Sequence, residues 1–361
     1  MTDLSNTTAE ATALEADDEA VVPAIIIQDL YKIFGPHPDR HIDAVKKGMT
    51  KSDLNRKHGH SLGLKAIDTE LPAGSISVIM GLSGSGKSTL LRHINGLITP
   101  TAGQVLIDGQ DVAKMSETEL RTFRRHKTAM VFQKFGLLPH RTVLENTLYG
   151  LDIQGISRKE SEPVGRRWIE RVGLKGYEDQ YPTQLSGGMQ QRVGLARALA
   201  NDAPVLLMDE AFSALDPLIR VDMQSVLLEL QQELRKTIVF ITHDLDEALR
   251  LGDKIVVLHA GEISQQGTGQ DIVLNPANDY IRAFVREVNR ARVIQLRAIT
   301  RPHKPDTSWP SLTLSGSMTL EEAAKQLTSS DIREATVLSR QGRPRGVVDL
   351  MDVTRNMLRT E

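Results

Sequence analysis

The sequence predicts an α/β protein whose main sheet is mostly parallel and covered by helices. Between residues 75 and 266, short apolar runs of strand length alternate with longer helical patterns, as in repeated strand–helix units. The chain has 361 residues, of which 40% are hydrophobic and 25% charged, so it is long enough for roughly two or three domains. The core strands are predicted at Ser75–Met80, Thr128–Phe132, Pro204–Met208, Thr237–Ile241 and Lys254–Leu258.

Composition excludes several classes of function. The net charge is -2, which argues against binding nucleic acid through global positive charge. There is no cysteine, so disulfides, thiol catalysis and cysteine-ligated metals are excluded. No apolar stretch approaches the roughly 18 residues of a membrane-spanning helix, and the first residues are acidic, unlike a signal peptide. We therefore expect the protein to stay in the cytosol.

The flanking segments differ in composition from the central part. Residues 1–22 are acidic and contain no lysine, arginine or aromatic residue, which predicts a disordered arm. Residues 23–290 form the predicted main domain. Within it, residues 139–185 lack strand alternation and predict a helical subdomain. The arginine-rich and then proline-containing composition after residue 290 predicts a linker into a small α+β module over residues 291–361.

Residues 36–60 predict a basic insertion that is exposed on the surface. Prolines and glycines interrupt the pattern, and lysines, arginines and histidines are frequent. The histidines lack the accompanying acids of a metal site, so they are interpreted as solvated loop residues. They are His37, His41, His58 and His60.

A glycine-rich loop follows the first predicted core strand. Its sequence fits G-x-x-x-x-G-K-[ST] between a strand and a helix. In such a loop, backbone N–H groups and the helix terminus bind phosphate, the lysine adds positive charge and the serine hydroxyl ligates Mg²⁺. The predicted phosphate-binding residues are Gly81, Ser83, Gly84, Ser85, Gly86, Lys87, Ser88 and Thr89, with Ser88 also a metal ligand.

Two acids end another apolar strand about 120 residues later. Asp209 follows Val205–Met208 and is itself followed by Glu210. In a phosphate-loop protein, an acid at this strand end holds Mg²⁺, and the next acid orients or polarises the attacking water. We therefore predict Asp209 as a metal residue and Glu210 as the catalytic base.

One further run makes a family resemblance specific. Leu185–Gln191, Leu-Ser-Gly-Gly-Met-Gln-Gln, resembles the signature of ATP-binding cassette (ABC) proteins. Companion elements occur in the family order: Gln133 after a strand, Ser213–Asp216 after Glu210, and His243 after another strand. The resemblance implies ATP and Mg²⁺ as cofactors, and a phosphate-loop cassette with an antiparallel β subdomain and a helical insertion.

The resemblance also implies a second anion-binding helix terminus. Ser186, Gly187 and Gly188, with Gln190 behind them, would face the ATP bound by a partner copy. Two ATP molecules are then sandwiched in a head-to-tail dimer, with Asp216 at its seam. Because this chain has one signature and one phosphate loop, a symmetric homodimer is the simplest closure.

The remaining roles carry over residue by residue. Phe34 occupies the place where the family stacks an aromatic ring on adenine, and Tyr31 is the alternative. Gln133 resembles the residue that reaches Mg²⁺ or the attacking water. His243 resembles the residue that contacts the γ-phosphate.

A narrower resemblance points to import. Met208–Arg220, Val78–Leu82 and Asn275–Tyr280 are similar to the ATP-binding subunits of glycine betaine/proline and choline importers, as is the insertion 36–60. The similarity covers roughly residues 25–290. It implies a peripheral ATPase on the cytosolic face of the plasma membrane, two permease subunits and, indirectly, an extracytoplasmic substrate-binding protein.

The solute site is expected on another subunit. Quaternary ammonium groups are caged by aromatic faces, whereas only 4% of this chain is aromatic. Phe135–His140 is the predicted permease contact, with an apolar core segment as the alternative. An alternative function is that of a soluble ABC ATPase acting on nucleic acid or ribosomes. Such proteins typically carry a long coiled-coil insertion or a second cassette, and neither is seen in this sequence. A regulatory nucleotide-binding module without transport partners is the remaining alternative.

The tail resembles a single cystathionine-β-synthase-type (CBS) regulatory module. Met318–Leu327 predicts a helix, Glu334–Leu338 and Gly346–Asp349 predict strands, and Val353–Leu358 predicts a last helix preceded by Asp352. Related transport ATPases often carry two such modules in tandem.

Overall fold

The computed structural model describes residues 22–305, 307–339 and 342–358. Most of the predicted acidic arm, residues 1–21, lies outside the described residues. The strands are β1 (Pro23–Phe34), β2 (Ser61–Pro72), β3 (Ile76–Met80), β4 (Ala102–Ile107), β5 (Gln110–Asp111), β6 (Thr128–Val131), β7 (Val205–Asp209), β8 (Thr237–Thr242), β9 (Lys254–His259), β10 (Glu262–Gly267), β11 (Thr313–Ser315), β12 (Glu334–Leu338) and β13 (Pro344–Asp349). The helices are α1 (Ile42–Lys46), α2 (Lys51–His58), α3 (Lys87–Ile94), α4 (Glu117–His126), α5 (Val143–Gln154), α6 (Arg158–Arg171), α7 (Gly187–Ala200), α8 (Pro217–Leu234), α9 (Leu245–Leu251), α10 (Gly269–Leu274), α11 (Asp279–Val285), α12 (Arg290–Val293), α13 (Leu320–Ser329) and α14 (Leu350–Leu358).

The main sheet is mostly parallel, as the sequence predicts. Its strand order is β10-β9-β3-β8-β7-β6, and all neighbours run parallel except β10, which is antiparallel to β9. Strands β3 and β8 are buried over their whole length, which explains their unbroken apolar sequences. The five predicted core strands are confirmed to within one residue at each end. Their carboxyl ends lie at one edge, where the motif residues follow.

A second, antiparallel sheet has the order β2-β1-β4-β5. The sequence predicted a strand only around Ala24–Ile27, whereas β1 continues to Phe34 and pairs with β2 from Pro23↔Pro72 to Phe34↔Ser61. Because register shifts interrupt this pairing, alternation along β1 is imperfect and its length was not readable from the pattern.

The insertion between β1 and β2 is not wholly exposed, and that expectation is wrong at three residues. Val45 and Leu54 are fully buried against Ile33 and Leu62, and His60 is only 7% exposed. The two apolar side chains fasten α1 and α2 onto the strand pair. The basic residues of the segment face outward around this small core.

Helices α5 and α6 lie within the predicted helical subdomain and pack with α7. Leu148, Ile169 and Val193 join the apolar core on one face of the main sheet. Thr142 caps α5 in a capping box with Glu145, which sets where the helix begins. Helix α7 carries the signature run at its first turn and leads back to β7.

The tail has a three-stranded sheet, β11-β12-β13, covered by α13 and α14. Ile294 and Leu296 of the predicted linker are buried in its core together with Val273 of α10, so the linker packs against both parts. Asp352 does not precede the last helix: α14 begins at Leu350, and Asp352 lies in its first turn. Within the described residues, no helix combines the length and apolarity needed to cross a bilayer.

Candidate active site

The phosphate loop joins β3 to α3 through two glycines at which a side chain would be both strained and crowded. Gly81 has φ 147°, and a Cβ there would lie 2.2 Å from the Leu258 carbonyl oxygen. Gly86 has φ 107°, and its Cβ would lie 2.8 Å from a Leu64 methyl carbon. The loop is therefore pressed between β9 and β2. This close approach places the loop backbone at the start of α3, where free N–H groups bind anions. Ser83 and Gly84 are exposed on the loop, Ser85 is buried, and Thr89 is half-buried in the first turn of α3.

Lys87 is the buried positive charge of the site. Its side chain is 5% exposed, and its ammonium group donates to the carbonyl oxygens of Gly81 (2.9 Å) and Leu82 (3.2 Å). It also lies 3.6 Å from Glu210 Oε1. The lysine thus links the phosphate loop to Glu210, the acid that follows β7.

Ser88 and Asp209 meet as the metal prediction requires. The Ser88 hydroxyl donates to Asp209 Oδ1 at 3.0 Å. Burial raises the pKa of the Asp209 carboxyl and Glu210 adds to the rise, while Ser88, Arg92 and Lys87 oppose it. A hydroxyl and a carboxylate are the hard oxygen donors that Mg²⁺ takes alongside phosphate oxygens and water. The donor set therefore fits Mg²⁺, and a bound cation would favour the ionised carboxylate.

Glu210 is where the predicted catalytic residues converge. Its Oε2 lies 3.2 Å from Gln133 Nε2 and 3.4 Å from His243 Nδ1. Its backbone adopts φ 45° and its N–H donates to the Ile241 carbonyl oxygen at 3.1 Å. A left-handed conformation at a non-glycine residue costs about 1 kcal/mol or more and persists where the surroundings enforce it. The bond to β8 holds the glutamate side chain toward Gln133, His243 and Lys87.

Ser213 is a member of this cluster to which the sequence analysis gave no role. Its hydroxyl donates to the Glu210 carbonyl oxygen at 2.9 Å and accepts from Gln133 Nε2 at 3.4 Å. Gln133 follows β6 and is itself exposed. Ser213 therefore ties the loop after β6 to the loop after β7.

The two aromatic candidates near the phosphate loop differ in exposure. Phe34 ends β1, is 40% exposed, and lies over Gly63, whose Cβ would be 2.6 Å from the ring. The Gly63 carbonyl oxygen would in turn contact a Cβ at Gly86 at 3.0 Å, so the ring stands beside the loop. Tyr31 is 6% exposed and belongs to the core under the insertion. Of these two rings, only that of Phe34 is exposed enough to stack on a base.

The signature residues lie at exposed helix starts. Ser186 caps α7 by accepting from the Met189 N–H at 3.3 Å, and Asp216 caps α8 by accepting from the Ile219 N–H at 3.1 Å. Gly188 packs on Ile219, since a Cβ there would be 2.8 Å from a methyl carbon. The two caps therefore form one surface.

This surface is separate from the phosphate loop within the chain. Ser186 and Gly187 are exposed, and the Gln190 side-chain amide donates to the Leu185 carbonyl oxygen at 3.2 Å. Over residues 22–305, 307–339 and 342–358, no hydrogen bond joins the signature residues or Asp216 to Gly81–Thr89.

A groove of ≈ 400 Å³ opens on the other side of the loop after β6. It is lined by the exposed apolar side chains of Phe132 and Ile153 and by Arg121, Arg124, Arg125 and Arg197. Of the predicted contact segment, Gly136, Pro139 and His140 are exposed. Arg197 of α7 donates to the Gly136 (2.6 Å) and Phe135 (3.0 Å) carbonyl oxygens, so the segment is fastened to the helix that begins with the signature.

Tyr280 of α11 also supports the phosphate loop, a contact that the sequence analysis missed. Its hydroxyl accepts from the Leu82 N–H at 3.5 Å and donates to the Leu258 carbonyl oxygen at 3.4 Å. Its ring stacks on His259 at 3.9 Å between centroids. Tyr280 ends the run Asn275–Tyr280, but nothing in local spacing indicates a contact some 200 residues away.

Comparison with known proteins gives concordant results. A family model described as ABC transporter matches residues 64–213. The chain is 54% identical over 275 residues to the glycine betaine/proline betaine transport system ATP-binding protein ProV of Salmonella typhimurium, covering 76% of this chain and 69% of that protein. It is 42% identical over 327 residues to the trimethylamine N-oxide transport system ATP-binding protein TmoW of Ruegeria pomeroyi, covering 91% and 95%. The dimeric structure of MJ0796, a bacterial ABC transporter cassette, is similar with 33% identity and a TM-score of 0.57, covering 68% of this chain and 98% of that chain.

Proposed function

Because the chain belongs to the ABC transporter family as an ATP-binding, ATP-hydrolysing subunit, we propose that it energises the import of small methylated-amine osmoprotectants. The observation that carries the hydrolytic role is the convergence of Lys87, Gln133 and His243 on Glu210. The solute class rests on the relatives, which are named for glycine betaine, proline betaine and trimethylamine N-oxide transport.

The reaction is attack of water on the γ-phosphate of ATP. Glu210 accepts the proton of the attacking water, and Gln133 and His243, both beside its carboxylate, orient the water and the γ-phosphate. Ser88 and Asp209 would hold Mg²⁺, which would supply positive charge to neutralise the phosphate oxygens. Lys87 stabilises the charge that develops in the transition state. Phe34 stacks on the adenine ring.

Each complete site is built from two copies of the chain. Ser186, Gly187, Gly188 and Gln190 begin a 14-residue helix whose exposed N-terminus suits a phosphate. The phosphate loop of the same chain has its own helix terminus, so the signature surface serves the ATP of a partner copy. Asp216 lies on that surface beside the signature and contributes to the seam.

The membrane partner is a permease, and the chain works on the cytoplasmic face of the membrane as a peripheral subunit. The groove beside Phe132 and Gly136 suits a helix that carries both apolar and acidic side chains, because its lining combines apolar side chains with arginines. Closure of the ATP-bound dimer drives the permease outward-facing, and hydrolysis resets it. An extracytoplasmic binding protein delivers the solute. The tail serves as a single CBS-like regulatory module.

Uptake in reconstituted vesicles tests this function. Vesicles that contain the permease and binding protein are loaded with MgATP, and labelled glycine betaine, choline, proline, carnitine and trimethylamine N-oxide compete for entry. Uptake should require this chain and disappear with Glu210→Gln. Glu229→Gln, at an exposed glutamate on α8, is the matched control and should transport normally. Hydrolysis of ATP without uptake of any of these solutes would remove the osmoprotectant assignment and leave the ATPase.

A further inference from the structure

The insertion between β1 and β2 begins one residue after the exposed ring of Phe34. It passes through a 3-10 turn (Pro38–His41), α1 and α2, and returns to β2 at Ser61, which pairs with Phe34. The segment therefore starts and ends beside the aromatic ring. What holds its two ends together also determines where that ring lies.

The imidazole of His60 joins the two ends. Its Nδ1 lies 2.7 Å from the His58 carbonyl oxygen, and its Nε2 lies 2.7 Å from the Pro36 carbonyl oxygen. A carbonyl oxygen only accepts hydrogen bonds, so each ring nitrogen must donate. A neutral imidazole has one N–H, whereas an imidazolium has two. Both bonds form together only when the ring is protonated.

The same ring packs directly on the residue after Phe34. Gly35 has φ 140°, and a Cβ there would lie 2.3 Å from His60 Cδ2. The His60 ring therefore contacts the Gly35 backbone and is hydrogen-bonded to the carbonyl oxygen of the next residue, Pro36. Movement of His60 would remove its contacts with Gly35 and Pro36, the two residues that follow Phe34, and would leave the position of the Phe34 ring less fixed.

We propose that His60, in its protonated form, is a positioning residue that fixes Phe34 for base stacking and so makes nucleotide affinity depend on pH. This inference rests on the adenine-stacking role of Phe34 proposed above. Deprotonation breaks one of the two carbonyl bonds, the end of β1 loosens, and the nucleotide loses part of its stacking contact. The triphosphate contacts at the phosphate loop are unaffected.

The groups around His60 are consistent with a single charge at this position. His41 lies 4.4 Å from the rings of both His60 and His58. Partial burial lowers the pKa of His41, and the nearby His58, His60 and Arg40 lower it further. The lowered pKa favours the neutral form of His41, whose ring is tilted by 59° to the ring of His60. Asn55 of α2 contacts the His60 carbonyl oxygen, at 3.5 Å, and Lys32 of β1 lies 5.3 Å from the Phe34 ring centre.

Binding of MgADP and magnesium pyrophosphate to the full chain separates base contacts from phosphate contacts without hydrolysis. As pH rises, MgADP affinity should fall relative to pyrophosphate affinity. His60→Leu should weaken MgADP binding by about three- to tenfold, the scale of one stacking contact, and remove this pH dependence. His58→Gln is the matched control, because it removes an exposed histidine ring but keeps the backbone carbonyl. This variant should retain both the MgADP affinity and its pH dependence.

Nitrogen-15 NMR of histidine-labelled full chain tests the bond pattern independently of nucleotide. The His60 signals, identified by their loss in His60→Leu, should show both ring nitrogens protonated in mildly acidic solution. A ring that stays in one neutral tautomer throughout the range, or an equal pH dependence in His60→Leu, overturns the inference. If Phe34→Ala leaves MgADP affinity unchanged, the stacking role fails and this inference fails with it. If Phe34→Ala weakens binding and His60→Leu does not, only the inference fails.

Discussion

Glu210 shows how one residue depends on several distant parts of the chain. Its carboxylate lies near Lys87, Gln133 and His243, which follow three different strands. Its left-handed backbone is held by the bond to Ile241 of β8. The side chain is therefore positioned by the sheet edge and not by its own loop alone.

Replacement of Glu210 by glutamine should leave ATP binding intact and reduce the hydrolysis rate by about 10²–10⁴-fold, the usual scale for a general base. Glutamine keeps the shape and the hydrogen bond to Gln133 but cannot take a proton. Phosphate release at saturating MgATP measures the effect, and Glu229→Gln is the control. A near-normal rate would remove Glu210 from the role of base.

His93 of α3 is a buried histidine behind the phosphate loop. It is 2% exposed and donates through Nδ1 to the Thr89 carbonyl oxygen at 2.7 Å, while its Nε2 has no partner among the described residues. Burial lowers its pKa to about 4, and Lys32 contributes to the decrease. The folded protein therefore holds His93 neutral.

This histidine should make the protein less stable in acid. The unfolded chain binds a proton at His93 below about pH 6.5, whereas the folded chain does so only near the lowered pKa, so stability falls as pH falls between these values. From about pH 7.5 to about pH 5 the loss attributable to His93 is about 2 kcal/mol. Urea unfolding at the two pH values measures it, with His93→Gln for comparison. An equally steep decline in that variant would contradict the assignment.

At the scale of elements, α11 supports the phosphate loop from outside the sheet. Tyr280 reaches both Leu82 of the loop and Leu258 of β9. Val285 at the end of the same helix packs against the tail core. One short helix therefore contacts both the nucleotide loop and the tail module.

Tyr280→Phe should raise the KM for ATP about two- to fourfold with little change in kcat. The variant keeps the ring stacked on His259 but loses the hydroxyl that bridges loop and strand, a contact worth about 1 kcal/mol or less. Steady-state hydrolysis over a range of MgATP concentrations measures both constants. Tyr177→Phe, at an exposed tyrosine, is the control. A change confined to kcat would mean that the contact acts on another step.

At the scale of the whole molecule, the phosphate-loop surface and the signature surface lie apart in one chain. The phosphate loop and Glu210 share one sheet edge, while Ser186 and Asp216 form a separate exposed surface. Two copies related by a two-fold axis would place each surface against the other, which is the closed arrangement expected of a homodimer.

Mixing two defective variants distinguishes sites shared between copies from sites within one copy. Lys87→Ala removes the phosphate-loop charge and Ser186→Arg blocks the signature, so neither variant alone should dimerise with ATP. A mixed dimer has one site with both Lys87 and Ser186 intact. In a Glu210→Gln background, sedimentation should therefore show ATP-dependent dimers only in the mixture. Continued absence of dimers there would argue against the shared site.

Much of the fold and site was predictable because the signals are local. The phosphate loop, the acids after β7 and the signature are short runs whose chemistry depends on residues near in sequence, and the five core strands are buried on both faces and read as unbroken apolar stretches. Strand β2 and the full length of β1 escaped prediction because bulges interrupt their alternation. The burial of Val45, Leu54 and His60 was not predicted, because a basic composition does not reveal which few side chains of the insertion point into the protein.

The sequence by itself determined the α/β class, the phosphate chemistry and the family, since each of them depends on short runs of contiguous residues. Only the tertiary structure showed that Phe34 is exposed and Tyr31 is buried, because exposure depends on what packs over each ring. It alone brought Lys87, Gln133, Ser213 and His243 to Glu210, and Tyr280 to the phosphate loop. It alone set both nitrogens of His60 against carbonyl oxygens. Such contacts depend on strand order and crossing geometry, which join residues that local spacing leaves unrelated.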